Sequence, residues 1–300
     1  MIKRIVLLGN TGFIGRHLEK VFKNSLSQAQ VIGQSLPVLD LTKLEDAQKL
    51  ADVFDIDTAV IMCAAIKRQF GDNLEVFDQN LNMASNVCRV LEKNPVKRFI
   101  FFSSSAVYGE DIHNTHITEE TPVCPTSYYG LAKYTAERLY AKTIGSQKES
   151  SLVVLRPPLI YGPGDLGKTY GPSGFIKAAL NNEPVTLWGD GMELREFIFV
   201  EDIVRVVCGL LHGDFKGVVN VASGKSHTFQ DVLKIVSDLV GEALDIKSLA
   251  RTKDKVDNAF DNTHFTCLMP GLRFTPLEEG MRETFNMEAI LQGQAMQGAR

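Results

Sequence analysis

The chain opens with an apolar run, Ile5-Val6-Leu7-Leu8, that meets Gly9-Asn10-Thr11-Gly12-Phe13-Ile14-Gly15 and passes directly into a stretch of helical periodicity. Few folds begin with a strand that becomes a helix through three glycines. Gly9 suits a tight turn, Gly12 lets backbone amides approach a diphosphate at the positive helix end, and Gly15 lets helix pack against strand. Thr11, Phe13 and Ile14 share the loop and the helix start, and are counted with them as dinucleotide contacts. The glycines are spaced three and three, whereas the general fingerprint is spaced two and then three. The loop alone could therefore serve only turn and packing.

From Lys3 onward, short β-branched apolar runs alternate with longer periodic segments, as in strands joined by crossover helices. Strands are expected near Ile5–Leu8, Val31–Gly33, Thr58–Met62, Phe99–Ser103 and Leu152–Leu155, with helices near Phe13–Phe22, Leu74–Lys93 and Tyr128–Thr143. The pattern predicts an α/β chain with a Rossmann-type, doubly wound parallel sheet. Between Pro157 and Gly174 prolines and glycines crowd together and break regular structure. This divides the chain into a dinucleotide-binding domain, 1–168, and a smaller C-terminal substrate-binding region, 169–300. Segments near 193–224 are expected back in the first domain, because Glu196–Val200 and Val218–Val221 read as strands that return to the main sheet before a Thr228–Val240 helix.

Composition narrows the partners. A formal charge of −4 over 300 residues offers no basic stripe for nucleic acid. The N-terminal apolar run is too short for a membrane span or a signal core. Five scattered cysteines, with no Cys-x-x-Cys pair and no histidine at ligand spacing, imply no metal site and reduced thiols, hence a cytoplasmic location. At the end of the second strand an acid would hold ribose hydroxyls and an arginine a 2′-phosphate, but Gln34 and Ser35 stand there. NAD and NADP both stay open. Asp40, next to Leu41, could accept from an adenine amino group or could cap a helix over Lys43–Ala51, for which Thr42 is an equal candidate.

Tyr129-Gly130-Leu131-Ala132-Lys133 places a phenol and an ammonium on one helix face. A cation beside a phenol favours the ionised form, which would make Tyr129 a general acid/base near neutral pH. Such a pair also arises by chance on solvated helices. Its weight rises with Ser103-Ser104-Ser105, where the apolar Phe99–Phe102 run ends in hydroxyls at the carboxyl edge of the sheet. There a serine can donate to a carbonyl oxygen while the tyrosine moves the proton and a nicotinamide carries the hydride.

Taken in order, the glycine loop, Cys63-Ala64-Ala65, Asn80, Ser-Ser-Ser-Ala-Val-Tyr-Gly, Tyr-x-x-x-Lys, Arg156-Pro157-Pro158-Leu159-Ile160-Tyr161-Gly162-Pro163-Gly164-Asp165 and Trp188–Phe197 resemble the extended short-chain dehydrogenase/reductases of the nucleotide-sugar epimerase/dehydratase family. The resemblance runs from Met1 to about Thr284. It implies Ser104 as the catalytic hydroxyl, four residues before Tyr108. Cys63, Ala64, Ala65 and Asn80 are implied as cofactor contacts, and Lys133 also as a nicotinamide-ribose ligand. Arg195 is implied as a phosphate clamp for a nucleotide-sugar substrate, with Arg251 a looser match. Arg195 could instead form a surface ion pair with Glu193 or Glu196. The resemblance also implies a homodimer formed through the helices near Leu74–Lys93 and Tyr128–Thr143.

Family dehydratases follow the catalytic hydroxyl with Asp-Glu, whereas Ser105 and Ala106 stand here, so elimination of water is not expected. The Cys and His of double epimerisation are also missing, the matching positions being Ala106 and about Gly174. What is left is reversible hydride transfer at sugar C4, which is epimerisation, or one-way NAD(P)H-dependent reduction of a 4-keto sugar. A non-catalytic dinucleotide sensor is the alternative from another class. Leu159 replaces the asparagine that relatives often carry three residues after Arg156, and Trp188 reads as core.

Overall fold

The computed structural model describes residues 2–25, 29–165, 170–251 and 254–298. β1 (Arg4–Leu8) enters α1 (Phe13–Ser25) through the glycine loop, and β2 (Gln30–Gln34) leads to the short α2 (Leu44–Ala47). β3 (Thr58–Met62), α3 (Leu74–Leu91) and β4 (Arg98–Phe102) follow, then β5 (Asn114–Ile117), α4 (Tyr128–Gly145) and β6 (Ser151–Arg156). The remaining elements are β7 (Leu159–Tyr161), α5 (Pro172–Leu180), β8 (Val185–Trp188), β9 (Leu194–Arg195), β10 (Phe197–Phe199), α6 (Val200–Leu211), β11 (Gly217–Asn220), β12 (His227–Thr228), α7 (Phe229–Val240), β13 (Ile246–Leu249), β14 (Asn258–Phe260), α8 (Thr263–Leu268) and α9 (Leu277–Gly298).

Six of these strands form one parallel sheet in the order β11-β6-β4-β3-β1-β2. Both faces are covered, which the alternation of side chains along a strand explains. In β1, Ile5 and Leu7 join Leu18, Phe22, Ile203 and Val206 on the face of α1 and α6. Val6 and Leu8 join Val87, Leu91, Tyr140 and Ile144 on the face of α3 and α4. From β1 the chain winds outward to β2, then crosses to β3 and winds the other way. The reversal leaves a crevice at the carboxyl ends of β1 and β3, where open α/β sheets bind ligands.

A separate core, containing Phe175, Leu187, Phe229, Val232, Leu277 and Met281, supports the C-terminal region of α5, α7 and α9. The expected division at 168/169 lies outside the described residues. Of the two returning segments, Gly217–Asn220 joins the main sheet beside β6. The segment read as Glu196–Val200 does not: Phe197–Phe199 pairs in parallel with Leu159–Tyr161 in a separate two-stranded ladder, and Val200 already begins α6. Continuous apolar character, Phe-Ile-Phe-Val, looks the same in either ladder, which is why the sequence misled. Trp188 also departs from expectation. It ends β8 and is 40% exposed, so it is not core. Among the described residues no helix is long and apolar enough to cross a membrane.

Candidate active site

The crevice is built by close backbone approach. Gly9 has φ +90°, and a Cβ there would stand 2.7 Å from the Ala64 nitrogen. At Gly15 a Cβ would meet the Gly9 carbonyl oxygen at 2.2 Å, so α1 can begin where it does only without a side chain. The Gly9 amide donates to the Gln34 carbonyl (2.7 Å), and the Cys63 amide donates to the Leu8 carbonyl (2.9 Å), tying the ends of β2 and β3 to the loop. The Asn10 side-chain oxygen is buried here without a hydrogen-bond partner among the described residues. A narrow glycine cradle at a helix N-terminus, with a spare acceptor beside it, fits the diphosphate and ribose hydroxyls of a dinucleotide.

The other sequence-derived contacts take different positions. Phe13 and Gly15 are buried at the start of α1, Ile14 is half-buried, and Thr11 and Gly12 are exposed. Asn80 accepts from the Ile66 amide (2.9 Å) and donates to the Ile66 carbonyl (3.0 Å). Its amide group thereby fixes the segment after Ala64 and Ala65. Asp40 accepts from the Thr42 amide (3.0 Å) and hydroxyl (2.7 Å) and so braces a turn. The helix beyond it starts at Leu44, with Lys43 in the cap position and no side-chain cap bond. Leu41 is core, and its carbonyl accepts from Asn86 (3.0 Å).

Ser104 stands at the end of β4, capping the short 3-10 turn Ser105–Tyr108 by accepting from the Ala106 amide (3.1 Å). Tyr129 lies in the first turn of α4, which Ser127 caps by accepting from the Gly130 amide (3.0 Å). The Ser104 hydroxyl lies close enough to the Tyr129 phenol to act on it. Lys133, one turn further along α4, is buried and donates to the Phe102 carbonyl (2.6 Å), with its ammonium 5.7 Å from the Tyr129 ring centroid. Strand end and helix face thus bring the three residues together.

The electrostatics correct one expectation. The Tyr129 phenol is pushed above its ordinary value, chiefly by burial and further by the Glu110 carboxylate, while the Ser104 hydroxyl opposes both. The lysine does not bring it down. Lys133 lies against the ring face, and its ammonium is committed to the Phe102 carbonyl. Burial instead lowers the lysine itself to about 8, against the attraction of Glu137. The Cys63 thiol, also desolvated, is pushed up to about 12 despite the nearby ammonium, so it is a neutral neighbour.

Residues that had not been singled out frame this centre. Glu110 accepts from Arg68 (2.6 Å) and from the Ser127 hydroxyl (3.2 Å), and Asp72 accepts from the Tyr129 amide (3.1 Å). They lie in irregular segments, where no periodicity could reveal them. On the C-terminal side, Arg195 donates to the carbonyls of Leu194 and Val256. The ion pair with Glu193 or Glu196, the alternative to a phosphate clamp, does not form among the described residues. Glu193 binds Arg251 through two 2.9 Å bonds, and Glu196 accepts from the Ser223 and Gly224 amides at 2.8 and 3.2 Å. Arg251 also bonds Asp190.

A doubly wound sheet with a glycine cradle at its switch point, and Ser104, Tyr129 and Lys133 gathered at the end of the neighbouring strands, is the arrangement of a dinucleotide-dependent dehydrogenase-type enzyme. The sequence model of the NAD dependent epimerase/dehydratase family matches residues 5–222, and the chain belongs to that family. Among curated relatives, the uncharacterized UDP-glucose epimerase YtcB of Bacillus subtilis is 24% identical over 289 residues, covering 87% of this chain and 88% of its own. A putative UDP-glucose 4-epimerase of Methanocaldococcus jannaschii is 26% identical, with coverage of 79% and 82%. Among solved structures, MoeE5 in complex with UDP-glucuronic acid and NAD superposes with a TM-score of 0.84 at 25% identity, covering 96% of this chain and 99% of that one. The UDP-N-acetylglucosamine 4-epimerase of Methanobrevibacter ruminantium, in complex with UDP-N-acetylmuramic acid, gives 0.82 at 27% identity, covering 97% and 99%.

Proposed function

We propose that the chain is a nucleotide-sugar 4-epimerase that works with NAD. The observation that carries this reading is the convergence of Ser104, Tyr129 and Lys133 beside the Gly9–Gly15 cradle, in a chain whose relatives include named UDP-sugar 4-epimerases. NAD supplies the hydride acceptor and donor. In the oxidation half, Tyr129 acts as a phenolate, having released its own proton to solvent beforehand, and takes the C4 hydroxyl proton as the C4–H bond breaks. In the reduction half, the 4-ketone would present its opposite face, so that the C4–H bond forms there as Tyr129 returns the proton to the C4 oxygen. Ser104 donates to the C4 oxygen while it is a ketone, and Lys133 places positive charge beneath the Tyr129 ring. Ser105 and Ala106 stand where family dehydratases carry Asp-Glu, so elimination of water is not expected of this site.

Arg195 is the substrate's phosphate ligand in this reading: its guanidinium meets the Leu194 and Val256 carbonyls, with Glu193 and Asp257 acting on it from further off. Arg251 is already neutralised by Glu193 and shapes the wall. NMR of UDP-glucose or UDP-N-acetylglucosamine incubated with protein and NAD tests the reading: C4 inversion is expected, and its absence with every nucleotide sugar tried rejects it. A second reading, reduction of a 4-keto sugar, is favoured by Gln34, since no acid closes β2. Net oxidation of reduced cofactor during turnover would select it.

A further inference from the structure

Behind the relay lies a buried set of charges that hydride transfer does not call on. Glu137, one turn beyond Lys133 on α4, is 4% exposed. Its carboxylate accepts from Arg156 Nε (2.9 Å) and Nη2 (2.6 Å) at the end of β6, and from the Ser103 hydroxyl at the end of β4. Arg156, 5% exposed, also donates to the Tyr108 hydroxyl (2.9 Å), which donates to Asn220 of β11 (2.8 Å). Ser103 immediately precedes Ser104. One carboxylate thus grips the strand that carries the catalytic serine, the neighbouring strand, and the helix that carries the catalytic tyrosine and lysine.

We propose that Glu137 is a positioning residue for the proton relay: held by Arg156 and Ser103, it fixes the end of β4, whose Phe102 carbonyl receives the Lys133 ammonium, and keeps the Ser104 strand in register with the Tyr129 helix. This rests on the hydride-transfer reading of the same site. Removing a carboxylate from a buried ion pair leaves the other charge uncompensated, so a pair in this place is costly to keep unless its geometry is used. The use is visible in what surrounds Lys133. Facing it are the neutral Cys63 thiol after β3, the Phe102 carbonyl of β4, and the Tyr129 ring on its own helix. Tyr140 and Asn80 line the same small cavity. Glu137 is the one carboxylate among the groups acting on the ammonium, and it opposes the effect of burial.

The test replaces Glu137→Gln in the full chain and follows the 13Cε resonance of Lys133 against pH, assigned by its loss in Lys133→Met. The Lys133 midpoint is expected to fall by on the order of one pH unit, and the alkaline limb of the turnover profile to fall with it. An unchanged midpoint overturns the proposal. If Glu137→Gln does not fold, the pair replacement Glu137→Gln with Arg156→Met leaves no uncompensated buried charge and is expected to shift the midpoint the same way; an unchanged midpoint there overturns the proposal equally. A shifted midpoint in a protein that turns over no nucleotide sugar supports the seat for Lys133 and rejects the 4-epimerase reading instead.

Discussion

Lys133 directs its ammonium at the backbone carbonyl of Phe102, 2.6 Å away, and meets Tyr129 only through the ring face at 5.7 Å. The tyrosine therefore keeps its proton in this state, held there by burial and by Glu110. In the proposed mechanism Tyr129 moves the proton, Ser104 holds the substrate oxygen, and Lys133 supplies local charge from beneath.

Tyr129→Phe removes the proton carrier while leaving the ring that packs over Lys133. Turnover should fall by ~10²–10⁴-fold, with NAD affinity unchanged when measured by calorimetry. Ser104→Ala should lower kcat more than it raises KM, because the lost hydrogen bond is strongest as the ketone forms.

Lys133 also leaves a mark on stability. Its folded pKa of about 8 lies below the ordinary 10.5. Below pH 8 both states are protonated, and the folded state bears the full cost of burying the charge. Between about 8 and 10.5 the unfolded state alone holds the proton, so raising the pH through this window stabilises the fold. Relative to Lys133→Met, the wild type should gain up to about 3 kcal/mol across that window, as read by denaturant melts at each pH.

Gly15→Ala should cost more than Gly12→Ala. The added methyl would meet the Gly9 carbonyl oxygen at 2.2 Å in the first case and at 3.2 Å in the second. Thermal melts with and without NAD should show Gly15→Ala losing both stability and the NAD-induced shift, and Gly12→Ala keeping its stability.

Much of the frame was legible beforehand because strand and helix periods are local. Thr58–Met62 fell on the expected residues, and α1 and α4 began where the pattern put them. The proposed Ser104, Tyr129 and Lys133 set follows from motif order, and the fold brings these side chains together. What was not legible depends on distant partners. Nothing near Phe197 says whether it pairs with β7 or with the main sheet. Whether Arg195 faces carbonyls or carboxylates is decided by Val256 and by Arg251 capturing Glu193. Glu137 was within reach, since four residues separate it from Lys133, but its partner Arg156 comes from another strand.

Leu74, Tyr128 and Leu131 are 58%, 43% and 42% exposed on α3 and α4, an apolar surface suited to the homodimer that the resemblance implies. Sedimentation should show a dimer, and Leu131→Asp should shift it toward monomer. A wild-type monomer at all concentrations removes the dimer from the account.

The central claim is reversible hydride transfer at C4 through the Tyr129 relay, and a C4-deuterated nucleotide sugar tests it most directly. The account predicts C4-inverted product that keeps its deuterium, with no net change in cofactor oxidation state and none of this chemistry in Tyr129→Phe. Deuterium lost to solvent, or inversion at full rate in Tyr129→Phe, would contradict it.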